Sequence, residues 1–96
     1  MVQAIDGRDQ NGLKAMALAI CSNPGFEAAL FSTTAPYVAV IARSKGRSVD
    51  CAAVLKALME TFGGRGGGKP DLAQGGGLAG DMPQILAAAR AELARH

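Results

Sequence analysis

Seven consecutive residues, Gly63-Gly64-Arg65-Gly66-Gly67-Gly68-Lys69, carry the GxxxxGK spacing of a loop that holds nucleotide phosphates. In such a loop, backbone N–H groups free of side-chain obstruction cradle phosphate oxygens, the lysine adds charge and a following Ser or Thr hydroxyl binds magnesium. Pro70 stands in the place of that hydroxyl, and the segment follows a helical pattern instead of a strand, which argues against nucleoside-triphosphate hydrolysis. Gly75-Gly76-Gly77-Leu78-Ala79-Gly80 has GxGxxG spacing. A dinucleotide site also needs a strand with an acidic residue ~20 positions later, and none is available before His96. Both near-matches reduce to a simpler chemistry. A glycine run lets a polyanion approach the backbone closely, while Arg65 and Lys69 add positive charge beside it.

A structural role for the same residues is equally open at this point. The glycines would then serve tight turns and close packing of Leu72 to Gln74 on a sheet, with Arg65 and Lys69 as solvated charges. Covalent chemistry is not indicated, because the single histidine is His96 and Asp9, Asp50 and Asp81 stand where helix caps belong. Cys21 and Cys51 form no CxxC pair and cannot complete a zinc site with one histidine, so they read as inert thiols, and neither a metal nor another cofactor is expected. Phe26, Phe31, Tyr37 and Phe62 fall within apolar strand and helix patterns, which assigns them to the core rather than to base stacking.

The elements that must position this segment are legible from periodicity. Val2 to Ile5 reads as a short strand, followed by a helix capped by Asp9 that presents Leu13, Met16, Ala17 and Ile20 and stops before Asn23-Pro24-Gly25. Phe26 to Phe31 and Tyr37 to Ala42 are neighbouring strands, the second placed at the sheet centre because it scarcely alternates. Asp50 caps a helix with Val54, Leu55, Leu58, Met59 and Phe62 on one face, ended by Gly63-Gly64. The Gly63 to Gly77 segment reads as a loop in which only Leu72-Ala73-Gln74 has side chains suited to a strand. A last helix starts at Asp81, with Pro83 in its first turn, Gln84 completing a capping box, Ile85, Leu86, Ala89 and Leu93 buried, and Arg90, Arg95 and His96 complementing the dipole at its end. The expected architecture is a single small α/β domain over residues 1–96: a mixed central sheet of four to five strands, three helices and a Gly-rich loop.

Length and composition agree with one modest core, 49% hydrophobic and without Trp, so Ala, Leu, Val, Ile and Met must fill the interior. The net charge of +2 is small. Its distribution is uneven, since Arg43 to Pro70 holds six basic residues against Asp50 and Glu60 while both flanks are slightly acidic. Arg43, Lys45 and Arg47 become rim candidates for an anionic partner. No apolar run approaches the ~20 residues that span a bilayer, and no membrane association is expected; a reducing cytoplasm suits the unpaired cysteines.

The stretch GGRGGGKPDLAQGGG, Gly63 to Gly77, is similar to the GGxGGGRPDxAQxGG signature of the DHH-associated domain family, first subfamily, as found in the C-terminal domain of alanyl-tRNA synthetase and in alanyl-tRNA editing proteins. Gly66, Gly67, Gly68, Pro70, Asp71, Ala73, Gln74, Gly76 and Gly77 match by position, and Lys69 replaces the usual Arg, keeping the charge but losing the bidentate fork. The resemblance covers essentially the whole chain, through the Ala-Arg-Ser turn at Ile41 to Ser44, the Asp-led helix and the final amphipathic helix. It implies a non-catalytic module that docks tRNA, with Arg65, Gly66, Gly67, Gly68, Lys69, Asp71, Gln74, Gly76, Gly77, Arg43 and Lys45 as site residues. It also implies a catalytic domain in a longer parent chain, of which these residues form the C-terminal part. Two alternatives stay open: a phosphate-binding subdomain of a DHH phosphoesterase, whose glycine run usually continues with His where this chain has Lys69-Pro70-Asp71, and an oligomerisation module forming a homodimer. The DHH metal motif and the His and Cys motif of editing domains are both missing from the sequence.

Overall fold

The computed structural model describes residues 1–95. In chain order the elements are β1 (Val2–Ile5), α1 (Gln10–Cys21), β2 (Glu27–Ser32), β3 (Tyr37–Arg43), α2 (Cys51–Phe62), β4 (Arg65–Lys69), β5 (Leu72–Leu78) and α3 (Met82–Arg95). They build one five-stranded mixed sheet of order β1-β2-β3-β5-β4, in which only the β1–β2 pair is parallel. The α/β class, the strand number and the three helices agree with the sequence reading.

β3 lies at the centre and is buried from Ala39 to Ala42, as its lack of alternation requires. The period of two splits the strand residues between two cores. Ala29, Phe31, Ala39, Ile41, Ala73 and Leu78 pack under Val54, Leu55 and Leu58 of α2 and Ile85 and Ala89 of α3. Ala28, Leu30, Val40 and Ala42 pack under Leu13, Ala17 and Cys21 of α1. A fully buried Phe, Leu or Ile side chain contributes about 1.5–3 kcal/mol, so Phe31, Leu30, Ile41, Leu55 and Leu58 hold the layers together.

Two of the three expected caps form. The Asp9 carboxylate accepts from the Gly12 amide at 2.8 Å and that of Asp50 from the Ala53 amide at 3.2 Å. At the third, only the Asp81 carbonyl takes part, accepting from Ile85 N–H at 3.0 Å. Pro83 has no N–H to offer, Asp81 is exposed to water, and among the described residues neither the Asp81 nor the Gln84 side chain makes the capping-box bond. In the last turn Arg95 pairs with Glu92 at 3.2 Å; His96 lies outside the described residues.

Two expectations are corrected. Phe26 is not in the core: it is 47% exposed and precedes β2, where Gly25 at φ +86° turns the chain. Its backbone is held by Ser44, whose Oγ accepts from Phe26 N–H at 2.9 Å and whose own N–H donates to the Phe26 carbonyl at 2.7 Å. That clamp fixes the main chain and leaves the ring outside. Phe31 is buried, whereas Tyr37 and Phe62 are half-buried against the core. The Gly-rich segment, in turn, is no loop. Arg65–Lys69 and Leu72–Leu78 are antiparallel strands joined by Pro70-Asp71, with β4 forming an edge of the sheet.

Candidate nucleic-acid interface

The glycine hairpin is anchored at both ends by backbone groups. At the turn, the Pro70 carbonyl accepts from Cys51 N–H at 2.8 Å and from Arg43 Nε at 3.0 Å, and the Asp71 carbonyl accepts from Arg43 N–H at 3.2 Å. At the far end, Gly63 and Gly64 leave α2 at φ +81° and +101°, and Ala79 N–H donates to the Phe62 carbonyl at 3.0 Å. The Pro-Asp turn is thereby fixed to the start of α2 and the end of β3 without relying on side chains of the hairpin itself.

The register divides the glycines into two sets. Arg65 pairs with Gly76, Gly67 with Gln74 and Lys69 with Leu72, while Gly66 pairs with Gly75 and Gly68 with Ala73. Paired residues share a sheet face. Gln74 and Leu72 also pair with Val40 and Ala42, which belong to the core under α1. Arg65, Gly67 and Lys69 therefore line the α1 side, whereas Gly66 and Gly68 belong to the α2 side. A Cβ on Gly66 would stand 2.4 Å from Gly75 Cα, one on Gly68 2.5 Å from Ala73 Cα, and one on Gly64 2.5 Å from the Gly76 carbonyl oxygen. These positions admit no side chain because the two backbones press together there. Gly67 differs: nothing lies within 4 Å of where its Cβ would be.

Beside Gly67 runs a groove of about 420 Å³ between α1 and the hairpin. Lys14 and Leu18 of α1 form one wall and Gly67, Gly68 and Lys69 the other, with Arg43, Asp71, Leu72 and Gln74 between them. Three cations thus face one carboxylate. Every residue of β4 is exposed, and Arg65 stands on the same face one strand-length from Lys69. Arg43 is partly committed, since besides the Pro70 contact its Nη1 donates to the Arg47 carbonyl. Gln74 Oε1 is buried and has no hydrogen-bond partner among the described residues.

Of the expected site residues, the structure brings Arg43, Gly67, Gly68, Lys69, Asp71 and Gln74 together in this groove. Gly66 and Gly76 lie in the same hairpin, and Gly77, at φ +84°, ends its pairing with β4. Lys45 stands apart, over a hollow formed by Cys21, Ser22, Asn23, Pro24 and Ser44. Arg47 is turned to another groove and held by Glu27 at 3.0 Å. Lys14 and Leu18 also line this groove, and nothing in the sequence singles them out. Their four-residue spacing puts them on one face of α1, but only the tertiary fold shows that this face meets the hairpin.

Both thiols are buried, which favours their protonated form. Burial pushes Cys51 up to about 12, against the lowering influence of Arg43, and burial also raises Cys21. Both are free cysteines, and no group of three His, Cys, Asp or Glu comes together among the described residues. No helix among them is long and apolar enough to cross a membrane.

Residues 1–95 match the DHHA1 domain, and the chain belongs to that family. The fold superposes on the crystal structure of the C-Ala domain from Aquifex aeolicus alanyl-tRNA synthetase with a TM-score of 0.81 and 26% identity, over 95% of this chain and 86% of that one. A 31-residue stretch is 52% identical to an alanine–tRNA ligase of Caldicellulosiruptor saccharolyticus; it amounts to 32% of this chain and 4% of the ligase.

Proposed function

We propose that this DHHA1 domain is a non-catalytic module that docks folded tRNA through the groove between α1 and the glycine hairpin. Lys69, Lys14 and Arg43 contact phosphates there, Arg65 extends the contact along β4, and Gly67 lets the RNA backbone come against the strand. The observation that carries the reading is the open glycine set between two exposed cations on one face, on a fold shared with the C-Ala domain of a tRNA synthetase. Gly66, Gly68, Gly76, Gly77 and Asp71 maintain the hairpin that presents these groups. Lys45 serves as a more distant rim charge.

On this reading the domain is the C-terminal part of a longer, cytoplasmic protein. Its catalytic domain, of synthetase or editing type, acts on the tRNA that this module positions. Docking of this kind recognises folded shape and phosphates rather than stacked bases, which suits a groove whose only large apolar wall residues are Leu18 and Leu72. A second reading, self-association, draws support from the exposed, unpaired edge of β4, because an uncovered edge strand is a template for pairing.

The test is binding of the chain to folded tRNA and to a short single-stranded oligonucleotide across a salt series. Docking predicts salt-dependent binding to tRNA and a slope reduced by roughly two counterions when Arg65 and Lys69 are both replaced by Ala. An unchanged slope removes these two residues from the interface. Preference for the short strand favours a phosphoesterase subdomain, and concentration-dependent mass without RNA binding favours the dimer.

A further inference from the structure

We infer that the groove also reads a hydrogen-bond donor of the RNA, and that Gln74 Oε1 is the atom that accepts it. This inference rests on the docking function proposed above. Gln74 sits in β5 between Val40 of β3 and Gly67 of β4, on the side that faces α1. Its Oε1 is buried and unpartnered among the described residues, although it lines a groove open to the outside. A buried acceptor without a donor is unfavourable, so a ligand that supplies one gains affinity by satisfying it. Oε1 is closed off in the free chain, but the residue opposite Gln74 is Gly67, the glycine with empty space where a side chain would be, so a turn of the Gln74 amide toward the groove meets no side chain there.

The chemistry of the groove restricts what that ligand group can be. Lys14, Arg43 and Lys69 attract phosphate oxygens, but ionised phosphates carry acceptors only and cannot satisfy a carbonyl oxygen. A group that meets both demands carries an anion and an N–H or O–H donor close together. A nucleotide does so through its ribose 2′-hydroxyl or through a base amino or imino group. Gln74 thereby adds hydrogen-bond selectivity to an otherwise electrostatic surface.

The experiment compares wild type, Gln74→Met and Gln74→Leu for binding to a folded tRNA transcript and to an all-deoxy copy of it, across a salt series, with thermal melting of each free protein. Loss of the accepted bond predicts about a tenfold weaker tRNA complex with an unchanged salt slope, and a melting temperature equal to or above wild type because the unpaired acceptor is gone. If the donor is a 2′-hydroxyl, the variants and wild type bind the deoxy copy equally; if it is a base group, the difference persists on that copy. Wild-type binding that is salt-dependent and matched by both variants on tRNA overturns the role of Gln74 while leaving the docking function standing. Failure of wild type to bind tRNA at all overturns both, and is recognisably a different result.

Discussion

Replacing single glycines of the hairpin by alanine separates the residues that build it from the one that faces the groove. At Gly66 the new Cβ would lie 2.4 Å from Gly75 Cα, against about 3.5–4.0 Å for carbon atoms in favourable contact. Both neighbours are backbone, so the strands must move apart. The cost falls at the upper end of the overpacking range, about 3 kcal/mol. In a domain of this size that corresponds to a fall in melting temperature of roughly 12–24 °C. Gly68→Ala meets Ala73 Cα at 2.5 Å and should behave alike. Gly67→Ala meets nothing and its φ lies outside the left-handed region, so the stiffer unfolded chain should leave stability unchanged or raise it by about 0.4–1 kcal/mol. Thermal unfolding followed by circular dichroism reads these values, and tRNA binding read alongside should be weakened several-fold in Gly67→Ala despite its intact fold. Equal destabilisation at positions 66, 67 and 68 would refute the division of the glycines into two faces.

Three further outcomes follow from the same geometry. Asp50→Ala removes the cap of α2 and should cost about 1 kcal/mol by chemical denaturation, whereas Asp81→Ala, whose side chain caps nothing, should cost less. Arg43→Leu removes the side-chain bond that fixes the Pro70 turn but leaves the Cys51 bond, so hydrogen exchange should quicken in β4 and β5 ahead of β1 and β2. Because burial raises Cys51 from 9.0 to about 12, the unfolded chain holds fewer protons than the folded one within that interval. Stability should therefore decline as pH rises from about 9 toward 12, and Cys51→Ala should flatten that decline in urea titrations.

How far the sequence reaches is clearest from particular residues. Leu13, Ala17, Leu55 and Leu58 announce buried helix faces by spacing alone, and Asp9 and Asp50 announce helix starts, because these signals are local. The run from Tyr37 to Ala42 announces a central strand because both its faces are apolar. β4 could not be read in this way, since Arg-Gly-Gly-Gly-Lys has no strand propensity of its own. It is a strand because Gly66 and Gly68 let its backbone press against β5, a property of the pair rather than of either segment. Phe26 misled because its apolar character belongs to the neighbouring strand while its backbone answers to Ser44. Lys14 was hidden for a similar reason. A lysine on a helix reads as a solvated charge until the fold places the glycine hairpin across from it. The charge excess between Arg43 and Pro70 gathers Arg43 and Lys69, which line the groove, together with Lys45 and Arg47, which the fold turns elsewhere.

The most direct test of the account is a titration of the isotopically labelled chain with folded tRNA, followed through its backbone amide resonances. Docking as proposed predicts that the largest shifts fall on Gly67, Gly68, Lys69 and Gln74 together with Lys14 and Leu18, and that they fade as salt is raised. Shifts concentrated around Arg47 and Arg90 on the other side of the sheet, with the hairpin unaffected, would contradict it.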